Sequence, residues 1–214
     1  MEHHAITGIR HLTDHTFVIR FDRKGLVFRA GQHLLAGLEN QNKFREYSIY
    51  SGENDPFLEI LIREVAEGQV SPSLKSLQPG HHLIIDGPMG VFNLDPKTFL
   101  TDKICFVATG TGIAPFHSMV RSYPDLNYRM IHGVKYENEQ YENVDYQSDR
   151  YISCISKDPS GNFHGRVTDY LRSNFPGTMM KYYLCGNFSM IREVFDILSE
   201  KGIPRTQIHT EVYF

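Results

Sequence analysis

The sequence predicts two successive domains, an antiparallel β-barrel followed by an α/β domain with a parallel sheet. Three observations carry this. Strand-length runs at 15–21, 32–38, 44–50, 57–63 and 81–86 are separated by Gly, Asn and Pro clusters, the spacing of a small barrel. Beyond Asp102, strand-like and helical stretches alternate, as in parallel α/β sheets. Residues 104–108 are uninterruptedly apolar and run straight into Thr109-Gly110-Thr111-Gly112, a buried strand meeting a tight turn.

The first strand alternates about Phe17 and Ile19. One short helix interrupts the barrel, with Ser71 expected as N-cap and Pro72 at the first helical position. Leu74 and Leu77 give it an apolar side, and Pro79-Gly80 stops it. In the second half, strands are predicted at 128–134, 151–155, 182–185 and 207–213, with helices near 167–171 and 190–198. The acid- and tyrosine-rich run 137–145 reads as a solvated loop or helix face. The boundary is expected between residues 94 and 103, giving domains 1–98 and 99–214.

Composition narrows the function classes. Lys+Arg 22 against Asp+Glu 25 leaves a net charge of −3, so no excess positive field exists to neutralise phosphates and a nucleic-acid partner is not expected. Cys105, Cys154 and Cys185 lie far apart and form neither a zinc spacing, an iron–sulfur set nor a disulfide framework. No metal site is expected. The stretch 104–116 is broken by Gly110 and Gly112 and is too short to span a bilayer. The N-terminus lacks a basic and an apolar signal region, so the expectation is a cytoplasmic protein without membrane insertion.

Two segments carry chemistry. Gly110, Thr111, Gly112 and Pro115 lie between a strand and a helix, where backbone N–H groups at the helix start can receive a diphosphate. Proline replaces the third glycine of the dinucleotide fingerprint, and Met130, Ile131 and His132 stand where an acidic residue would hold the ribose. An ordinary NAD-type site is therefore not indicated, whereas a phosphate cradle is. In the barrel, Arg45, Tyr47 and Ser48 share one predicted strand. They offer a guanidinium for a diphosphate, a ring for a flat heteroaromatic and a hydroxyl for a ring nitrogen. Alternation predicts Arg45, Tyr47, Ile49 and Ser51 on one face, Ser48 and Tyr50 on the other. Taken by itself, that segment reads first as an amphipathic structural strand.

Taken in order, these fragments resemble the ferredoxin–NADP reductase family over nearly the whole chain. The flavin motif Arg-x-Tyr-Ser is Arg45, Tyr47 and Ser48; Gly68 to Ser71 matches the Gly-x-x-Ser/Thr turn; Gly87-Pro88-Met89-Gly90-Val91-Phe92 matches the barrel exit. Residues 110–115 match Gly-Thr-Gly-Ile-Ala-Pro, Ser156-Lys157-Asp158 with Gly165-Arg166 resembles the loop that reads the adenosine ribose or its 2′-phosphate, Cys185-Gly186 resembles the segment near the nicotinamide, and Glu211-Val212-Tyr213 resembles the aromatic C-terminus. The resemblance implies that Arg45 binds flavin diphosphate, Tyr47 packs on the isoalloxazine, Ser48 lies near its N5 and Ser71 caps the diphosphate. Gly110, Thr111, Gly112 and Pro115 would receive the NADP diphosphate; Ser156, Lys157 and Arg166 would read the ribose 2′-phosphate; Cys185 and Gly186 would border the nicotinamide. Ser48, Cys185, Glu211 and Tyr213 form the implied catalytic set, with either Tyr213 or Phe214 covering the flavin.

The implied activity is hydride passage between NADPH and bound FAD, with FMN left open, and single electrons to or from ferredoxin or flavodoxin. A reductase of free flavin, or an electron-transfer flavoprotein subunit without an iron–sulfur centre, remain the alternatives.

Overall fold

A computed structural model describes residues 1–38, 43–95 and 102–213. Contacts group them into two compact units, Met1–Asn93 with Ala114–Pro124, and Leu94–Ile113 with Asp125–Phe214. The expected cut at 98/99 and the terminal Phe214 lie outside the described residues.

The first unit is a six-stranded antiparallel sheet of β1 (Glu2–His11), β2 (Thr16–Asp22), β3 (His33–Leu38), β4 (Lys43–Ser48), β5 (Phe57–Arg63) and β6 (His82–Met89), in the order β4-β3-β6-β1-β2-β5. Past the end of β4, Ile49 forms an isolated antiparallel bridge with Ile60 of β5, which brings the two edges of the sheet together as in a small barrel. Phe17, Ile19, Phe21, Leu34, Leu58, Ile60 and Ile85 fill the interior. The sequence reading began the barrel at residue 15 and missed β1. The reason is His4: it stands at an inward, fully buried position with Nδ1 2.7 Å from the Asp22 carbonyl oxygen, so a polar residue hides the apolar alternation around Ile6.

Ser71 is not the N-cap of α1 (Ser71–Lys75); Val70 holds that place without a side-chain bond. The Ser71 hydroxyl instead accepts the Val65 N–H at 3.0 Å and fastens the preceding turn. Alternation along β4 also ends sooner than expected. Past Ser48 the chain turns into the bridge to β5, and Ser48, Ile49, Tyr50 and Ser51 are all buried. Helix α2 (Ala114–Ser122) belongs to this unit. His117 stacks on Tyr50 with ring centroids 3.7 Å apart, and the Ser118 hydroxyl donates to the Ser51 carbonyl.

The second unit is a wholly parallel sheet of β7 (Lys103–Thr109), β8 (Tyr128–Val134), β9 (Tyr151–Ile155), β10 (Phe163–His164), β11 (Met180–Asn187) and β12 (Ile208–Tyr213), ordered β10-β9-β8-β7-β11-β12. One face, carrying Cys105, Val107, Ile131, Leu184 and Ile208, packs with α3 (Val167–Ser173) and α4 (Phe188–Glu200) into one apolar cluster. Residues 137–145 form two short 3-10 turns with solvated acids, but Tyr141 and the adjoining Tyr146 are buried. Among the described residues, no helix is long and apolar enough to cross a membrane.

Buried Glu59 accepts from both Arg10 and Arg20, the latter at 2.7 Å. Because both arginine side chains are more than a third exposed, Glu59→Gln is expected to cost about 1–2 kcal/mol rather than the larger penalty of a fully buried pair. Urea denaturation of the full chain measures it.

Candidate functional site

Parallel strands place their C-terminal ends on one side, and a ligand crevice forms where the strand order reverses. Here the chain runs outward from β7 through β8, β9 and β10, then returns on the other side of β7 as β11 and β12. The reversal therefore lies at the ends of β7 and β11. Those ends carry Thr109-Gly110-Thr111-Gly112 and Cys185-Gly186-Asn187, so the sheet brings together the two second-half segments that the sequence singled out.

Contact between them is main chain on main chain. Residues Gly110–Ile113 form a 3-10 turn before α2 begins at Ala114, with Pro115 in its first turn. A Cβ on Gly112 would lie 2.5 Å from the Cys185 carbonyl oxygen and 2.8 Å from the Gly186 Cα. Gly186 has φ +142°, and a Cβ there would lie 2.2 Å from Thr109 Oγ1. Only glycine allows this approach. Asn187 caps α4 by accepting the Met190 N–H, while its amide reaches Thr109 Oγ1 at 3.3 Å. Gly112 is buried, and Gly110 and Thr111 remain half-buried, so the turn offers backbone donors at a surface of the unit. That donor set fits a diphosphate.

Register aligns Ser153, His132, Ala108, Cys185 and Glu211 in one row across β9, β8, β7, β11 and β12. Cys185 is fully buried. Burial raises its thiol pKa well above the ordinary value, the Glu211 carboxylate pushes the same way, and a hydrogen bond with Tyr213 opposes them. Cys185 is thus a neutral thiol rather than a thiolate nucleophile. Glu211 and Tyr213, two positions apart on β12, are both half-buried, and the structure gathers these three implied residues at one strand end.

Lys157 and Arg166 are exposed and each stands two residues beyond the end of adjacent strands, β9 and β10. The Ser156 N–H and hydroxyl both donate to the Val134 carbonyl. Arg166 is the N-cap of α3, its N–H donating to Asp169 at 3.1 Å. In the barrel unit, Arg45 is exposed with its guanidinium donating to the Phe44 carbonyl. Tyr47 packs against the barrel core, and burial pushes its hydroxyl up to about 12 against the pull of Arg45. Ser48 is buried. An exposed cation beside a half-buried ring is a donor set suited to a diphosphate attached to a flat ring system.

Residues 8–94 match the family of oxidoreductase FAD-binding domains and residues 106–196 that of oxidoreductase NAD-binding domains. Ferredoxin–NADP reductase B of Sorangium cellulosum is 28% identical, the match covering 91% of this chain and 88% of that protein. The chain belongs to the ferredoxin–NADP reductase family. Within this family, flavodoxin/ferredoxin–NADP reductase of Escherichia coli is also 28% identical, over 88% of this chain and 86% of the relative. A ferredoxin–NADP reductase of Neisseria gonorrhoeae, solved with bound FAD and NADP, shares the fold with a TM-score of 0.86 at 22% identity, covering 100% of this chain and 98% of that one. The family member described here is a flavin-dependent oxidoreductase.

The sequence reading noted His132 only as the absence of an acid. It is fully buried, with Nε2 2.9 Å from the Gly110 carbonyl oxygen and Nδ1 2.8 Å from the Tyr151 hydroxyl. Its position at the end of the second parallel strand, level with the glycine turn, was the available signal. Burial lowers its pKa from 6.5 to about 4, partly offset by the bond to Gly110. Above pH 6.5 the group is neutral folded or unfolded, and its stabilisation is fully present. Between pH 6.5 and 4 the unfolded chain binds a proton that the folded chain refuses, so stability falls by about 3 kcal/mol across that window. His132→Gln is expected to remove this component, seen as a shallower decline in denaturation midpoints from pH 7.5 to 4.5.

Proposed function

We propose that this reductase passes hydride equivalents between NADPH and bound FAD and exchanges single electrons with ferredoxin or flavodoxin, residues 1–98 holding the flavin and 99–214 the nicotinamide nucleotide. The observation that carries the reading is the convergence of the Gly110–Ile113 turn with Cys185, Gly186, Glu211 and Tyr213 at the switch point of the parallel sheet. When bound, the flavin supplies a group able to take up two electrons together and release them one at a time.

The chain's own residues bind and orient. Gly110, Thr111 and Gly112, with Pro115 opening α2, present backbone donors and the positive end of short helical structure to the diphosphate. Lys157 and Arg166 are the cations for a 2′-phosphate, with Ser156 shaping the loop between them. His132 at the β8 end supplies no carboxylate for a free ribose 2′-hydroxyl, which favours NADPH over NADH. Arg45 and Ser71 would contact flavin diphosphate, Tyr47 would pack on its ring system and Ser48 would hydrogen-bond near N5. Neutral Cys185 gives an apolar, polarisable wall, and Glu211 and Tyr213 hold a polar edge beside it. An aromatic cover from Tyr213 or Phe214 would have to yield before a nicotinamide could stack.

Mass spectrometry of the chromophore bound to purified protein, followed by NADPH and NADH titration, tests the proposal. FAD retained through gel filtration together with NADPH-driven dye reduction supports it; a colourless chain that stays colourless with added FAD overturns it. Activity only with added free flavin would mark a flavin reductase. Arg45→Ala is expected to weaken flavin retention about tenfold, through loss of a charge-assisted contact, while the Gly110–Ile113 turn keeps its nucleotide affinity. Lys157→Ala with Arg166→Ala is expected to lower kcat/KM for NADPH by about a hundredfold and leave that for NADH within a few-fold, measured by steady-state kinetics with both nucleotides.

A further inference from the structure

A carbonyl can only accept a hydrogen bond, so the 2.9 Å contact to Gly110 puts the proton of His132 on Nε2. In the neutral ring Nδ1 must then accept, and the Tyr151 hydroxyl 2.8 Å away is the donor. Tyr151 in this way selects the tautomer that the glycine turn requires. The imidazole is fully buried, the tyrosine nearly so, and the Tyr141 ring lies beside it with centroids 6.0 Å apart. Both ring nitrogens are committed, which fixes the plane of the ring as well as its place.

The atom that His132 holds belongs to the peptide joining Gly110 and Thr111. Among the described residues the only cis peptide is Gly87–Pro88, so this one is trans, and its C=O and N–H point in opposite directions. Gly110 has φ +53°, a left-handed conformation that glycine adopts without steric cost, and it opens the 3-10 turn Gly110–Ile113. The carbonyl is drawn toward the buried imidazole, and the N–H of half-exposed Thr111 is turned the opposite way.

We infer that His132, set by Tyr151, is a positioning residue that locks the Gly110–Thr111 peptide so that the Thr111 N–H faces the diphosphate of the nicotinamide nucleotide. This rests on the Proposed function for the identity of the ligand, whereas the tautomer and the lock do not. His132 touches neither ligand nor reacting atoms. Its loss weakens nucleotide binding in ground state and transition state alike, which moves KM and spares kcat.

The experiment compares the flavin-loaded full chain with His132→Phe, His132→Gln and Tyr151→Phe. Gln carries its amide nitrogen at about the reach of imidazole Nε2 and can donate to Gly110. His132→Phe is expected to raise KM for NADPH about five- to tenfold, with kcat changed less than about twofold and flavin content unaltered. His132→Gln is expected to restore KM to within about twofold of the parent, and Tyr151→Phe to give an intermediate rise. Imidazole 15N NMR of the parent should show the neutral Nε2–H form at pH 7, and Tyr151→Phe should shift or broaden that signal. An Nδ1–H tautomer, an unchanged KM in His132→Phe, or a His132→Gln variant that folds and binds flavin yet behaves like His132→Phe would each overturn the inference. Should His132→Phe fail to fold, the Gln and Tyr151 variants carry the same comparison. A parent chain that neither binds nor oxidises NADPH would defeat the proposed function, and the NMR readout would then decide the lock by itself.

Discussion

The second unit depends on how closely two stretches of main chain can approach. The turn after β7 rests on the end of β11 with no side chain between them at Gly112, and Gly186 repeats the condition from the opposite strand toward Thr109. Parallel strands set about 4.7–4.9 Å apart leave little room beyond their ends for anything but backbone. Absence of a Cβ at both places lets the turn fold flat over the strand end, keeps Cys185 beneath it and leaves the half-exposed backbone of Gly110 and Thr111 facing away. The Asn187 cap ties the same strand end to Thr109, so α4 starts from a fixed point.

Around that constraint the described residues of the unit avoid buried net charge. His132 is neutral because removal from water disfavours the imidazolium, and Cys185 is neutral because burial and the Glu211 carboxylate both disfavour the thiolate. Glu211 keeps partial exposure. A polyanionic ligand held as proposed would meet backbone dipoles and exposed cations rather than a buried ionic cluster, which would limit the desolvation cost of its arrival. The barrel follows another rule. Glu59 is buried, and its burial is tolerated because two arginines approach its carboxyl group and its own N–H is taken by the Ser51 hydroxyl at 3.1 Å.

Much of this was legible in the amino-acid order. All strands of the parallel sheet except the two-residue β10, together with helices α3 and α4, follow from apolar runs and glycine punctuation, because burial on both faces writes a continuous signal. Segment 110–115 stood out by its glycines and 185–187 by the family resemblance, and the structure gathers them at one end of the sheet. What could not be read was any polar residue whose partner lies outside its own strand or helix. Strand β1 was lost because its inward His4 is satisfied by Asp22. Ser71 satisfies Val65 rather than its own helix. His132 reads as a missing acid until Gly110 and Tyr151 are seen on its two nitrogens. Polar residues announce their partners poorly, since hydrogen bonding is set by geometry that the chain reaches only after folding.

The pleat of the parallel sheet bears on how this chain can change over generations. Neighbouring residues of β11 alternate between the aliphatic face of Leu184 and the face of Tyr183 and Cys185. Gaining or losing one amino acid within β7, β8, β11 or β12 would exchange the two faces beyond that point, sending Leu184 or Val107 into the row of His132 and Glu211. Indels are therefore tolerable chiefly in the connections at the strands' starting ends, such as the segment between α2 and β8 or that between α3 and β11. Descendants of this sequence should accumulate length differences there and remain isometric through the strands themselves.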